Sequence, residues 1–147
     1  MAKLFIYYSY TGNGDVVANY LKEKGYEIRK VESNYKLPKG LFGMMMKGGF
    51  HASINKKAKL INYNPDVSSY IDIYIGTPIW NGRLAPITNS VLAQTDLKDK
   101  NVTFIFYSGS GEAKKATQKI NKLYPNARII NLKTPKDYKD ELKKLDI

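Results

Sequence analysis

Five short apolar runs, each but the second leading into a stretch with helical spacing, constrain this chain more than any other feature. Two of them, Ile71-Asp72-Ile73-Tyr74-Ile75 and Val102 to Tyr107, are apolar almost throughout. A strand that is apolar on both sides has to be buried on both faces, as in a parallel sheet covered by helices. Strands are expected at about residues 3–8, 26–32, 71–76, 101–107 and 127–132, and helices at about 14–24, 84–94, 111–123 and 136–145. The expected architecture is α/β in three layers, a five-stranded parallel sheet with helices on both faces. At 147 residues the chain fits a single domain, 1–147.

The crossover between the second and third strands, about residues 33–69, is longer than one helix requires. Within it Leu41, Phe42, Met45, Met46 and Phe50 share one helical face, and Gly40, Gly43, Gly48 and Gly49 weaken that helix. The expectation is a short helix covering the sheet, with an adaptable methionine-rich docking surface as the alternative. His51 is the only histidine and has no acidic or cysteine cluster at ligand spacing, so no metal site is expected.

The chain contains no cysteine, which excludes a disulfide framework, thiol catalysis and thiolate-bound metals. No apolar stretch approaches the roughly 20 residues that span a bilayer, and Met1-Ala2-Lys3 runs straight into a strand. A cytoplasmic protein without membrane insertion is expected. Lysine and arginine number 24 against 13 acidic residues, a formal net charge of +11. The resulting field attracts acidic partners. The lysines are scattered, however, and arginine occurs only at 29, 83 and 128, so a nucleic-acid-binding module ranks last among the readings.

In an open parallel sheet, ligands bind beyond the carboxyl ends of the strands. Three turns therefore belong together. The apolar run Leu4 to Tyr8 breaks into Ser9-Tyr10-Thr11-Gly12-Asn13-Gly14 and a helix start. Backbone N–H groups, two hydroxyls and the positive end of a helix dipole make a phosphate cradle there. The second turn, Gly76-Thr77-Pro78-Ile79-Trp80-Asn81-Gly82-Arg83, carries the only tryptophan, and the third is Ser108-Gly109-Ser110-Gly111-Glu112. With strand order 2-1-3-4-5 the three converge on one rim. A phosphate seat, an aromatic plate and a glycine-rich curve suit a flat heteroaromatic joined to a phosphate by a flexible chain, such as flavin mononucleotide (FMN).

The chain resembles the flavodoxins. Tyr7, Ser9, Gly12 and Ala18, with Leu21 following, match the family's opening pattern, and Ile75-Gly76-Thr77-Pro78-Ile79-Trp80 with Gly82 and Pro86 is similar to the isoalloxazine-flanking loop of short flavodoxin-like proteins. Gly14 stands where the family pattern has a second threonine, and flavodoxins are usually acidic where this chain is basic. The resemblance implies a flavodoxin-like fold and non-covalently bound FMN held by residues 9–14, 77–82 and 108–112. It also implies electron transfer between redox partner proteins, here ones with acidic docking faces. No nucleophile or paired carboxylates mark the three turns, so an electron carrier is expected, with an FMN-dependent NAD(P)H or quinone oxidoreductase as the alternative.

Overall fold

The computed structural model describes residues 2–35 and 58–146. In chain order these form β1 (Lys3–Tyr7), α1 (Asn13–Glu23), β2 (Glu27–Lys30), β3 (Glu32–Ser33), β4 (Leu60–Ile61), β5 (Asp72–Trp80) and β6 (Arg83–Leu84). Then follow α2 (Pro86–Gln94), β7 (Asn101–Ser108), α3 (Lys114–Leu123), β8 (Arg128–Lys133) and a 3₁₀ helix (Lys139–Leu145). The predicted helix around Leu41, Phe42, Met45, Met46 and Phe50, and His51, lie outside the described residues.

The main sheet runs β2-β1-β5-β7-β8, all parallel, with β6 added antiparallel to β5. This is the expected 2-1-3-4-5 order and the flavodoxin-like arrangement. Side chains alternate across it as the pleat demands. Leu4, Ile6, Ile73, Ile75, Phe104 and Phe106 pack on one side with Ile87 and Val91 of α2 and Ala116 and Ile120 of α3. On the other side Phe5, Tyr7, Ile105 and Tyr107 meet Val17, Ala18 and Leu21 of α1 and Leu142 and Leu145 of the 3₁₀ helix. The near-continuous apolar runs thus have the two-sided burial they imply.

Several boundaries differ from expectation, four of them with a physical cause in view. The second strand is split: β2 ends at Lys30, Val31 donates its N–H to the Tyr7 carbonyl, and β3 turns away to pair antiparallel with β4. The third strand runs four residues further, to Trp80, because Asn81 (φ 53°) and Gly82 (φ 74°) form a two-residue hairpin turn into β6. Positive φ at both positions matches the right-handed twist of the flanking strands, and Asn-Gly is the pair that tolerates it best. Leu84 is consumed by this hairpin, so α2 begins at Pro86, whose fixed φ suits a first helical position. The last helix is 3₁₀ and starts at Lys139, since Asp137 and Tyr138 both donate back to the Thr134 carbonyl in a tight turn.

Candidate functional site

The carboxyl ends of β1, β5 and β7 lie side by side, which brings the three expected turns to one rim. In the first, α1 starts at Asn13 behind Gly12, whose left-handed backbone (φ 100°) offers no side-chain cap. The Ser9 hydroxyl oxygen takes that place, accepting the N–H groups of Gly12 at 3.2 Å and Gly14 at 3.0 Å. One oxygen is thereby held by two loop N–H groups at the positive end of a helix. A phosphate oxygen asks for the same coordination. The Thr11 hydroxyl lies 3.5 Å from the Asn13 amide nitrogen, and the Asn13 side-chain oxygen accepts the backbone N–H of Lys136 at 3.0 Å.

Gly14 is the departure from the family pattern, and the structure supplies its reason. A Cβ there would stand 2.6 Å from the Tyr107 hydroxyl oxygen, 2.8 Å from Ser9 Cβ and 2.9 Å from Tyr7 Cδ2. The Tyr107 phenol, fully enclosed, donates to the Tyr8 carbonyl and fills the volume a threonine would need. The missing hydroxyl is thus exchanged for one rooted in β7 beneath the turn.

The second turn differs from the expected aromatic plate. Thr77, Pro78, Ile79 and Trp80 are strand residues and all are buried. The Thr77 hydroxyl is spent on the Pro78 carbonyl and on Thr88 of α2, pinning that helix to β5. Trp80 is 0% exposed, sandwiched by Tyr35 stacked at 5.9 Å and met edge-on by Tyr8 and Tyr10 at 6.3 and 5.5 Å between ring centroids. Among the described residues, the ring that reaches furthest to the surface at this rim is Tyr10, 39% exposed. Asn81 and Gly82 form the hairpin tip, and the Gly82 carbonyl accepts the N–H of Ala116.

The third turn closes on itself. Ser108 accepts the Gly111 N–H at 2.9 Å, Ser110 accepts the Glu112 N–H at 3.2 Å, and Gly111 (φ 78°) makes the reversal. Gly109, Ser110 and Glu112 are exposed.

A cleft of about 510 Å³ lies beside the first turn, lined by Tyr8, Ser9, Tyr10, Lys30, Val31 and Tyr35 among others. A larger one of about 740 Å³ lies at the opposite end, near the starts of β5, β7 and β8, with Asp72, Asn101 and Arg128 in its wall. The smaller one carries the ligand argument: it lies at the carboxyl ends of the strands and adjoins the N–H cradle.

The rim carries both signs of charge: Lys30 and Glu32 line the cleft together, and Glu112 of the third turn is exposed. Burial, helped by Tyr10 and Tyr35, pushes the Tyr8 phenol up to about 12. Burial and then Asp15 raise Tyr7 further, and burial raises Tyr107 well above 10. Asp15 is bound by the Tyr7 hydroxyl at 2.7 Å and by Lys30 at 2.9 Å. On the far side of the hairpin, burial and then the Arg83 charge lower Lys119 from 10.5. These shifts set the alkaline limit of the fold. Phenols raised in the folded state contribute stability that is complete below the unfolded value near 10 and fades as pH climbs through their folded values. Lys119 works against this, since its burden lightens as pH rises toward 10.5. With several tyrosines against one lysine, the urea midpoint is expected to fall between about pH 10 and 11.5, and to fall less in Tyr8→Phe. A midpoint rising over that interval would contradict this assignment.

Lys136 and Tyr107 were not among the expected site residues. Topology is the signal that finds them: β7 and β8 end at the same rim, so the last residues of β7 and the loop after β8 have to be read with the other turns.

An open parallel sheet with an anion cradle at its carboxyl rim and aromatic rings beside it defines an α/β protein of flavodoxin-like fold. The flavodoxin family profile matches residues 3–145, and the chain belongs to that family. Among solved structures, it is similar to a candidate flavoprotein from Bacteroides eggerthii DSM 20697, at 19% identity and a TM-score of 0.70 over 99% of this chain and 98% of that one. A second candidate flavoprotein, from Bacteroides uniformis ATCC 8492, shares 22% identity at a TM-score of 0.68 over 97% and 98% of the two chains. A flavoprotein from Lactobacillus acidophilus NCFM, solved in complex with FMN, shares 20% at 0.58 over 95% and 97%. At these identities the likeness is one of fold. Comparison with curated protein sequences gives no match.

Proposed function

We propose that this protein binds FMN without a covalent bond and carries electrons between partner proteins. The observation that carries the reading is the Ser9 oxygen held by the Gly12 and Gly14 N–H groups at the start of α1, which is the coordination a flavin's phosphate would take over. Membership of the flavodoxin family and the FMN bound by the Lactobacillus acidophilus protein support it.

In this reading residues 9–14 hold the phosphate, Tyr10 and Tyr35 in the cleft wall flank the ring with Trp80 behind them, and the 77–82 and 108–112 segments stand beside them at the same rim. Bound flavin supplies the redox chemistry. The protein's own groups orient it, shield it from water and bias its charge. The hydroxyls of Ser9, Thr77, Ser108 and Ser110 are all engaged within or beside their own turns, so they build the pocket instead of reacting in it. A net charge of +11 favours partners with acidic faces and favours the negatively charged reduced flavin.

The test is direct. Freshly purified protein is expected to show a flavin absorbance spectrum, or to acquire one with FMN, and to release the flavin on denaturation. A colourless protein that FMN cannot reconstitute would overturn the reading. Substantial NAD(P)H consumption without an added reductase would replace the carrier by an oxidoreductase on the same fold.

A further inference from the structure

The loop between β8 and the 3₁₀ helix reaches across the rim to the first turn. Lys136 is its point of contact, and it makes three. Its backbone N–H donates to the Asn13 side-chain oxygen at 3.0 Å, and its ammonium donates to the Thr11 carbonyl at 3.1 Å. Between these anchors its aliphatic stem lies over Gly12, with Cδ 3.6 Å and Nζ 3.9 Å from where a Cβ would stand. All three fall on Thr11-Gly12-Asn13, inside the turn whose N–H groups hold the Ser9 oxygen.

Charge accounting singles this lysine out. Lys30, another cation near the turn, is committed to Asp15 at 2.9 Å. Lys136 forms no ion pair among the described residues; its ammonium rests on a neutral carbonyl. That bond can be exchanged for one to a dianion arriving at the adjacent N–H groups, because an ammonium–phosphate pair, charged on both sides, is stronger than the same ammonium's bond to a neutral carbonyl. Gly12 is called for by its left-handed backbone (φ 100°), and a Cβ there would meet the stem only at ordinary contact distance. Gly14 leaves the turn one side-chain hydroxyl short, and the Tyr107 phenol that replaces its volume is turned to the Tyr8 carbonyl.

We propose that Lys136 is a specificity-determining residue that supplies positive charge to the phosphate of the bound flavin and makes the site prefer FMN to riboflavin. The proposal rests on the FMN reading above and goes beyond it by assigning the phosphate preference to one side chain outside the turn.

The experiment titrates flavin-free full-length protein with FMN and with riboflavin, following the fluorescence of the flavin and of Trp80. Lys136→Met is expected to raise the Kd for FMN about three- to tenfold at low salt while leaving riboflavin within about twofold. Lys136→Arg is expected to keep the preference. In about 1 M salt, where the screening length is about 3 Å, the wild-type and Lys136→Met values for FMN should converge. Lys98→Met, at the other end of the sheet, removes the same unit of charge from the overall field and should change little. Equal losses for both flavins would show a structural loosening and overturn the proposal. So would an unchanged FMN affinity, or a Lys98→Met effect as large as that of Lys136→Met. Wild-type protein that binds both flavins equally would overturn the phosphate role while sparing the flavin site. Wild-type protein that binds neither would bring down the FMN reading itself.

Discussion

Replacing Gly14 by threonine, which would give the first turn the hydroxyl usual in its family, is expected to destabilise the protein by about 2–3 kcal/mol. The strain is spatial. Gly14 sits in α1 with ordinary helical backbone, but a Cβ there would lie within 3.0 Å of Tyr107, Ser9 and Tyr7 at once. None of these can retreat cheaply. Tyr107 is 2% exposed and tied to the Tyr8 carbonyl, and Ser9 is held by the Gly12 and Gly14 N–H groups. Tyr7 is stacked on Phe5 with ring centroids 5.1 Å apart. The double variant Gly14→Thr/Tyr107→Phe should recover part of the loss, because it removes the nearest atom but leaves the Ser9 and Tyr7 contacts. Urea unfolding followed by circular dichroism measures both. A single variant as stable as wild type would mean that the turn has slack that these distances deny.

The second large effect is expected at Trp80. Truncation to alanine should cost about 3–5 kcal/mol, and substitution by phenylalanine clearly less. Trp80 is fully buried and touches Tyr8, Tyr10 and Tyr35, so its removal would unseat three rings as well as open a cavity. Two of those rings, Tyr10 and Tyr35, flank the proposed flavin ring. Trp80→Ala should therefore weaken FMN more than Trp80→Phe does, even at temperatures where both variants are folded. The midpoints of thermal unfolding and the two affinities give independent readings. An alanine variant that loses less than about 1 kcal/mol would show that the pocket can collapse around the gap.

Much of the fold was legible because its central strands state their environment in composition. Val102 to Tyr107 has no polar face to give to water, and only a sheet covered on both sides can accommodate that. The start of α1 was legible for a related reason: a glycine and an asparagine directly after the first strand are residues that open helices. What escaped the sequence reading depends on long-range geometry. Asn81-Gly82 carries a clear hairpin signal, yet the pairing of only two residues in β6 is too short to show in periodicity. Trp80 was expected as an aromatic plate against the ligand because nothing local to residues 76–83 reveals that Tyr35 and Tyr10 cover it. Gly14 read as a deficit until Tyr107, ninety-three positions away in the chain, was seen to occupy its space.

That separation bears on how the protein comes into being. The first turn leaves the ribosome early, but its strand β1 has to wait for β5 to pair on one side, Leu4 opposite Ile73. Tyr107 must then arrive from 99 residues beyond Tyr8, and Lys136 from 123 residues beyond Asn13. Contacts so distant in sequence close late. During synthesis the oldest part of the site is therefore the last to be finished, and a nascent chain short of β7 exposes a cradle that still lacks its floor and its lysine.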